Sequence, residues 1–331
     1  MKLNISMWGK ALRVIPRVSK KEWQELDPIA KWLIATRSAV FLMTAFSALV
    51  GGLLAISDDS FNSGRFILCL VGLVLAHATN NLLNDYTDSV RGVDKDNYFR
   101  TMYGPQTLEH GLWTKKQLLS VIAGTGAAAA ACGILLAVMV GAPVVWLMLA
   151  GAFFVLFYTW PLKQVGMGEP AVILVWGPLM VGGTYLAITG VWSWAVAVIG
   201  MVYAIGPTTV LFGKHTDKLL EDKKKKIYTL PVILGEVNSR LSVIVMLIFQ
   251  PLFVVVLVAL GTLKWPMLIV LLGIPSIVSA IKVFREPRPT EKPADFPAEF
   301  WPTYLAGHAF RCNRVTGGLF VLGLIVSIFV K

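Results

Sequence analysis

Charged residues and cysteines are both scarce in this chain of 331 residues. Only 15% of the residues are charged, whereas 56% are hydrophobic. Soluble globular proteins carry about 25% charged residues, so the composition is typical of a membrane protein instead. The cysteines, Cys69, Cys132 and Cys312, show neither metal-ligand spacing nor an even framework. Disulfides and a zinc site are therefore not expected.

The N-terminal segment lacks the features of a cleavable signal peptide. It has no uninterrupted apolar core and no small-residue cleavage site. It is partly amphipathic, because Ile5, Trp8 and Leu12 share a helical face while Lys10 and Arg13 lie elsewhere. Both an interfacial helix on an anionic leaflet and a solvated tail fit this pattern.

Nine apolar stretches are long enough to cross a membrane, which takes about 20 residues per helix. Their approximate limits are 30–56, 64–83, 118–141, 143–160, 170–189, 192–212, 241–262, 265–283 and 314–330. We therefore predict an all-α polytopic membrane protein. A bundle of nine transmembrane helices fills residues 29–331 and follows a cytoplasmic or interfacial segment, residues 1–28.

The basic residues predict the orientation of the chain. Nearly all of them fall in the N-terminal segment and in the loops after even-numbered spans, and Arg37 lies inside span one. Only Arg65, Lys264 and Lys331 fall on the opposite side. Because cytoplasmic loops are rich in Lys and Arg, the N-terminus is predicted to be cytoplasmic. The net charge of +11 therefore does not indicate a nucleic-acid partner.

Polar and acidic residues gather at the predicted cytoplasmic end of span two. The run NNLLNDYTDSVRGVD contains Asn81, Asn84, Asp85, Asp88 and Asp94. The first four form one polar stripe if the helix continues through them, because positions three and four apart share a face. Such groups are costly near a membrane and are usually functional.

A second acidic group follows span six. The stretch GKHTDKLLEDKKKKIYTLPVILG contains His215, Asp217, Glu221 and Asp222. Asp217 and Glu221 are four positions apart and would share a helical face. Both acidic groups follow even-numbered spans, so the predicted topology puts them on the cytoplasmic side.

These carboxylates suit magnesium, which prefers oxygen ligands and binds substrate phosphates. Two facing clusters predict metal ions that clamp a diphosphate. A structural alternative stays open, because acidic residues also balance basic loops and Asn and Asp cap helices. We expect His215 to be a hydrogen-bonding partner or a general loop residue rather than a metal ligand. His77, within span two, is expected to be a packing residue or to support the site indirectly.

The two motifs resemble those of the UbiA superfamily of intramembrane prenyltransferases. The first is Asn84-Asp85-x-x-Asp88, followed by Gly92-Val93-Asp94; the second is Lys214-His215-Thr216-Asp217-Lys218, followed by Asp222 and Thr229-Leu230-Pro231. Between them, Tyr158-Thr159-Trp160-Pro161-Leu162-Lys163 is similar to the family's segment after helix four. The resemblance covers roughly residues 28–330.

A finer resemblance concerns one branch of this family. The stretch Gly166-Met167-Gly168-Glu169, with Gly177-Pro178 and Gly182-Gly183-Thr184-Tyr185 after it, looks like the menaquinone-type branch. That branch uses 1,4-dihydroxy-2-naphthoate as its acceptor. The resemblance therefore implies quinone biosynthesis.

The motifs also depart from the family's usual pattern. Many members carry a third Asp four residues after the position of Asp88, where this chain has Gly92, and Asp94 is expected to take that role. Many members have two Asp four apart in the second motif, whereas Asp217 and Asp222 are five apart. The exact set of metal ligands therefore stays open, and Asp94 and Glu221 are both candidates to join it.

The resemblance implies a nine-helix enzyme of the inner membrane with its active site facing the cytoplasm. It implies Mg²⁺-dependent transfer of a prenyl group from a polyprenyl diphosphate to a small aromatic acceptor. The implied catalytic residues and metal ligands are Asp85, Asp88, Asp217 and Asp222. The implied residues for the diphosphate and acceptor are Asn81, Asn84, Asp94, Arg37, Lys163, Tyr158, Lys214, His215 and Lys218. The aromatic faces of Tyr158 and Trp160 are candidates to stabilise an allylic carbocation.

Other functions remain open. Some superfamily members cyclise terpenes or prenylate lipid or haem acceptors, and the acidic motifs do not discriminate between these reactions. A transporter would place acidic groups near the middle of the bilayer and show an internal repeat, and the sequence shows neither. A non-catalytic membrane scaffold is the remaining alternative.

Overall fold

The protein is represented by a computed structural model, which describes residues 3–93, 104–298 and 300–330. Within these ranges the chain is almost entirely helical. The β-type pairing found there is an isolated bridge between Val165 and Tyr228. The predicted all-α class is therefore confirmed.

Short helices open the chain and long apolar helices follow. The opening helices are α1 (Ile5–Ala11), α2 (Lys20–Glu25) and α3 (Pro28–Ala35). The first long helices are α4 (Phe41–Ser57), α5 (Ser63–Val90), α6 (Lys115–Val140), α7 (Ala142–Phe157), α8 (Gly168–Thr189) and α9 (Trp194–Asp217). Next come the short α10 (Leu219–Lys224) and α11 (Leu230–Leu234), then the long α12 (Glu236–Ala259), α13 (Trp265–Arg285) and α14 (Tyr304–Phe329).

Eight helices of the described chain are long and apolar enough to cross a membrane, and they correspond to eight of the predicted spans. The remaining prediction, 143–160, corresponds to α7, which has only 16 residues. At 1.5 Å per residue it is about 24 Å long. The polytopic membrane fold is confirmed, while the count of nine spans and the cytoplasmic N-terminus stay predictions.

Helix α8 is wound unevenly around a proline. Its middle part, Val175–Gly182, is π-helical, because Pro178 has no N–H to donate and its ring displaces a carbonyl of the preceding turn. Close packing surrounds this segment. A Cβ atom on Gly177 would lie 3.0 Å from the carbonyl oxygen of Gly200, so α8 and α9 approach through their backbones, as small residues permit in membrane helices.

The chain divides into two compact units. The first unit comprises the chain up to Ala45 together with Leu68–Trp160, and the second comprises Phe46–Ile67 together with Pro161–Lys331. Helices α4 and α5 therefore contribute residues to both units. The first acidic motif belongs to the first unit and the second motif to the second unit.

In the first unit, the N-terminal segment packs against the long helices. Its buried residues Ala11 and Trp23 share an apolar core with Leu82 of α5. A solvated tail does not fit this packing. Ile5 and Leu12, from the predicted apolar face, remain exposed, which suits contact with the membrane interface.

Asp27 holds this segment in place. Its buried carboxylate accepts the backbone N–H groups of Asn4 (2.8 Å), Ile29 and Ala30 (3.0 Å each), and the indole N–H of Trp8 (3.1 Å). Two of these bonds cap α3 and two tether α1. Burial acts to raise the pKa of Asp27, but the hydrogen bonds from Ala30, Asn4, Trp8 and Ile29 outweigh it and hold the pKa below its ordinary range.

The second unit is built around α9. Val202 and Tyr203 of α9 share an apolar core with Phe320 of α14. A second cluster joins Phe212, in the last turns of α9, to Leu305, in the first turn of α14. This packing brings the C-terminal end of α9, which carries the second acidic motif, against the start of α14.

Asp27→Ala should release the N-terminal segment. Because the substitution removes the cap of α3 and both tethers to α1, we expect tryptic cleavage between residues 10 and 21 to accelerate about tenfold. Limited proteolysis of the purified protein in detergent measures this rate. The exposed neighbour Glu25→Ala is the matched control. Since the pKa of Asp27 is depressed, its contribution is present at neutral pH and is lost as the pH falls through that pKa. Cleavage at the wild-type rate in Asp27→Ala would contradict the anchoring role.

Candidate active site

The first acidic motif lies on the last turns of α5. Because this helix continues to Val90, Asn81, Asn84, Asp85 and Asp88 stand on one helix, as the predicted stripe requires. Asp85 and Asp88 are both buried. A buried carboxylate is costly unless donors compensate it, so the donors around it indicate what the motif can do.

Among the described residues, Thr107 and Arg37 supply donors to Asp85. Thr107 gives its backbone N–H (2.9 Å) and its hydroxyl (2.6 Å) to Oδ2. Arg37 gives a guanidinium N–H to Oδ1 at 3.3 Å. The carboxylate therefore orders both the turn around Thr107 and the guanidinium of Arg37.

Arg37 adopts a backbone conformation that is uncommon for its residue type. Its φ of 57° and ψ of 50° lie in the left-handed region, at the break between α3 and α4. A residue with a Cβ pays for this conformation in strain. The break turns the Arg37 side chain to Asp85 in the first unit, and it puts a fixed positive charge beside the first acidic motif.

The asparagines of the stripe bind neighbouring helix ends. The Asn81 amide donates to the carbonyl of Thr36 at 2.8 Å, and the Asn84 amide donates to the hydroxyl of Thr159 at 3.1 Å. Thr36 is the C-terminal cap residue of α3, where carbonyl groups lack partners within the helix. These amides therefore position α5 within the first unit, and their predicted contact with substrate stays a prediction.

The aromatic segment after α7 also belongs to the first unit. Tyr158 is the C-terminal cap residue of α7. The guanidinium carbon of Arg91 lies 4.9 Å from the centroid of the Trp160 ring, so a cation already covers one face of that ring. The predicted role of Tyr158 and Trp160 toward a carbocation stays a prediction. Asp94 lies outside the residues that the structure describes.

In the second unit, Asp217 ends α9 and caps α14. Its Oδ1 accepts the backbone N–H of Leu305 and its Oδ2 accepts that of Ala306, both at 2.9 Å. The cap residue Thr303 makes no side-chain capping hydrogen bond to α14. Arg288 stands 3.7 Å from Oδ1. The capping alternative therefore applies to Asp217, although the helix that it caps is α14 and not its own.

Among the described residues, only one of the two carboxylate oxygens of Asp222 has a hydrogen-bond partner. Its Oδ1 accepts a hydrogen bond from Lys218 Nζ at 2.7 Å. Its Oδ2 is buried and has no hydrogen-bond partner among the described residues, and the same holds for the hydroxyl of Thr229. Leaving a charged oxygen unpaired in the interior is costly. This oxygen is therefore well suited to accept a cation or a protonated ligand.

His215 forms a buried pair with Glu169. Its Nδ1 lies 2.5 Å from Glu169 Oε1, and Glu169 Oε2 accepts the backbone N–H of Leu230 at 3.4 Å. The hydrogen-bonding partner predicted for His215 is thus Glu169. The pair links the start of α8, the end of α9 and the start of α11 within the second unit.

The predicted lysines all belong to the second unit. Lys163 is buried in the 3-10 turn Leu162–Gln164, and Lys214 lies in the last turn of α9. Both have partners, so neither is a free cation. Lys218 is held by Asp222. Their predicted role toward a diphosphate remains a prediction.

The carboxylates fit magnesium in kind and in number. Among the described residues, no three His, Cys, Asp or Glu side chains stand close enough to hold a metal ion by themselves. Magnesium commonly takes one or two carboxylates and completes its shell with water and substrate phosphates. Within the first unit, the buried pair Asp85 and Asp88 matches that pattern. Within the second unit, the unpaired oxygen of Asp222 is suited to a cation.

Two residues of the site were missed by sequence reasoning. Glu169 was noted only as part of a glycine-rich stretch, although an ionisable residue at the start of an apolar helix is itself a functional signal. Thr107 gave no local signal, because its role depends on contact with Asp85, 22 positions earlier.

Comparison with known proteins places the chain in a family. Residues 44–303 match the UbiA prenyltransferase family, which confirms the resemblance. The chain is 26% identical to the UbiA prenyltransferase domain-containing protein 1 homolog of Drosophila melanogaster, over 77% of this chain and 71% of that protein. It is also 26% identical to the 1,4-dihydroxy-2-naphthoate octaprenyltransferase of Escherichia coli, over 66% of this chain and 72% of the relative.

Solved structures show the same fold. A UbiA homolog from Archaeoglobus fulgidus bound to GPP and Mg²⁺ superposes with a TM-score of 0.63, covering 90% of this chain and 99% of the other at 15% identity. The apo structure of a UbiA homolog from Aeropyrum pernix gives a TM-score of 0.65, covering 87% of this chain and 98% of the other at 15% identity.

Asp217→Ala should open the start of α14. Because the substitution removes acceptors for two buried N–H groups, we expect amide exchange at Leu305 and Ala306 to accelerate about tenfold or more. Hydrogen–deuterium exchange with mass spectrometry measures this. Asp222→Ala is the matched control, since the hydrogen bond that Asp222 makes goes to Lys218 and not to α14. Unchanged protection of these amides in Asp217→Ala would show that the cap does not stabilise α14.

Proposed function

Since the chain belongs to the UbiA prenyltransferase family, we propose that it transfers a prenyl group from an isoprenoid diphosphate to an aromatic acceptor with the help of Mg²⁺. The observation that carries this proposal is the pair of acidic motifs, whose carboxylates are buried at the ends of membrane helices. Structural relatives bound to GPP and Mg²⁺ or to DMAPP and Mg²⁺ support it.

The carboxylates that would hold Mg²⁺ are Asp85, Asp88 and Asp222, with Asp217 a further candidate. Bound there, Mg²⁺ supplies positive charge that stabilises the departing diphosphate. Arg37 would also stabilise the negative charge of the diphosphate, because its guanidinium is fixed beside Asp85. On diphosphate binding, Lys218 would leave Asp222 and donate a hydrogen bond to a phosphate oxygen instead. Its flexible side chain permits this change of partner.

The bond changes follow from the substrates. The C–O bond between the allylic carbon and the diphosphate breaks, and the diphosphate keeps the electron pair. The face of Tyr158 stabilises the positive carbon. A carbon of the electron-rich acceptor then forms the new C–C bond, and its proton passes to a base. A carboxylate of the acidic motifs is the candidate base.

A hydroxylated naphthoate is the acceptor class that we propose. The relative from Escherichia coli named for 1,4-dihydroxy-2-naphthoate supports it. A fold match to a structure described for digeranylgeranylglyceryl phosphate synthase, with a TM-score of 0.60 at 15% identity, makes a glyceryl phosphate lipid the acceptor to test against it.

We propose that the reaction takes place on the cytoplasmic side of the cell membrane. Both acidic motifs follow even-numbered spans of the predicted topology. The excess of basic residues in the same loops supports a cytoplasmic orientation. The chain is a multi-pass membrane protein, so a prenyl tail can remain in lipid while the diphosphate meets the polar motifs.

Purified protein in nanodiscs, supplied with radiolabelled geranyl diphosphate and Mg²⁺, tests this proposal. We expect a prenylated product with 1,4-dihydroxy-2-naphthoate and none with geranylgeranylglyceryl phosphate. A product formed only with geranylgeranylglyceryl phosphate would show that the acceptor is a glyceryl phosphate lipid and not a naphthoate. A cyclised hydrocarbon formed without any acceptor would show that the reaction is cyclisation and not transfer. Unreacted geranyl diphosphate in every assay would contradict the proposal that the protein is an enzyme.

Removing single carboxylates tests the metal ligands. We expect Asp88→Asn and Asp222→Asn each to lower kcat about a hundredfold or more, because metal stabilisation of the leaving group contributes several kcal/mol. EDTA should abolish turnover and added Mg²⁺ should restore it. The exposed Glu109→Gln is the matched control. Near-normal turnover in Asp88→Asn and Asp222→Asn would contradict the assignment. Asp217→Ala is a poor probe of metal binding, because it also opens α14.

A further inference from the structure

Gln106 combines deep burial with an unpaired side-chain amide. It is 1% exposed, and it lies within a run of buried residues, 104–107. Neither its Oε1 nor its Nε2 has a hydrogen-bond partner among the residues that the structure describes. Buried polar atoms are nearly always paired, by protein, by water or by a ligand. A buried amide without a partner in the described chain is therefore a candidate to bind a ligand.

The backbone on both sides of this amide is fixed. The Gln106 carbonyl accepts the N–H of His110 at 3.0 Å, and the Gln106 N–H donates to His110 Nδ1 at 3.3 Å. The next residue, Thr107, binds Asp85 through both its N–H and its hydroxyl. Gln106 is thus held one residue away from a direct contact with the first acidic motif.

The chemistry of the amide narrows the choice of partner. An amide offers two N–H donors and one carbonyl acceptor. A diphosphate oxygen only accepts hydrogen bonds, so it would pair with Nε2 and leave Oε1 unpaired unless a metal ion bound there. A phenolic hydroxyl donates and accepts, so it can satisfy both ends of the amide. A site built to hydrogen-bond a substrate hydroxyl discriminates strongly against an analogue that lacks it.

We propose that Gln106 binds a hydroxyl group of the aromatic acceptor and selects hydroxylated acceptors. This inference rests on the proposed function and adds a specificity residue to it. The hydroxyl hydrogen points to Oε1, and an oxygen of the acceptor takes an N–H from Nε2. A single amide thereby distinguishes a free hydroxyl from its ether.

Gln106→Leu and Gln106→Met test the proposal, because both keep the volume and remove the polar atoms. We expect the KM for 1,4-dihydroxy-2-naphthoate to rise about tenfold, while the KM for geranyl diphosphate stays within about twofold. The variants should also lose the wild-type preference for this acceptor over its 1,4-dimethoxy ether. Exposed Gln24→Leu is the matched control. The variants should fold at least as well as wild type, since they remove unpaired buried atoms.

Three results would overturn the proposal, two of them kinetic and one from equilibrium binding. Unchanged KM values for both substrates would assign the amide to an ordered water, and a rise confined to the KM for geranyl diphosphate would assign it to the donor. Equilibrium binding of 1,4-dihydroxy-2-naphthoate to wild type and Gln106→Leu separates this proposal from the proposed function. Weaker binding of 1,4-dihydroxy-2-naphthoate to the variant supports the role of Gln106, even if wild type transfers no prenyl group. No binding to wild type, or equal binding to both proteins, contradicts that role.

Discussion

Buried carboxylates at the ends of membrane helices set the constraint on which the candidate site depends. Burial makes each charge costly, so donors from distant segments have to meet it. Thr107 and Arg37 meet Asp85, and the first amides of α14 meet Asp217. The same oxygens therefore fix the turn around Thr107 and the start of α14. The packing of these segments and the proposed chemistry therefore depend on the same few atoms.

The long helices were predictable because each of them needs an uninterrupted apolar run, and the run is visible in the sequence. The polar stripe of α5 was predictable for the same reason, since spacing alone puts its residues on one face. The cap that Asp217 provides for α14 was not predictable, because the N–H groups that Asp217 accepts lie 88 and 89 positions away in the sequence. Gln106 gave no signal either. Only the fold shows that a glutamine in a loop between two spans is buried.

The two aspartates of the second motif differ in a way that spacing does not show. Both oxygens of Asp217 are engaged by backbone N–H groups, whereas Asp222 keeps one oxygen unpaired within the described chain. Asp217 therefore acts first as a structural acceptor. Asp222 has an oxygen left for the cation that we propose, and Lys218 balances its charge in this structure. Of these two residues, five positions apart, Asp217 therefore has both oxygens held by backbone N–H groups, and Asp222 has one oxygen without a partner in the described chain.

The short helix α7 has a consequence for the lipid around it. Its length of about 24 Å is some 6 Å less than the hydrocarbon thickness of a typical bilayer, about 30 Å. Its side chains Trp146, Leu149 and Leu156 are exposed, as expected of a helix that faces lipid. A span shorter than the bilayer is accommodated by local thinning, among other responses, at a fraction of a kcal/mol per Å. If α7 crosses the membrane as predicted, thinning would bring the polar headgroup layer closer to the midplane beside it, and an amphiphile arriving there would travel a shorter path between water and oil.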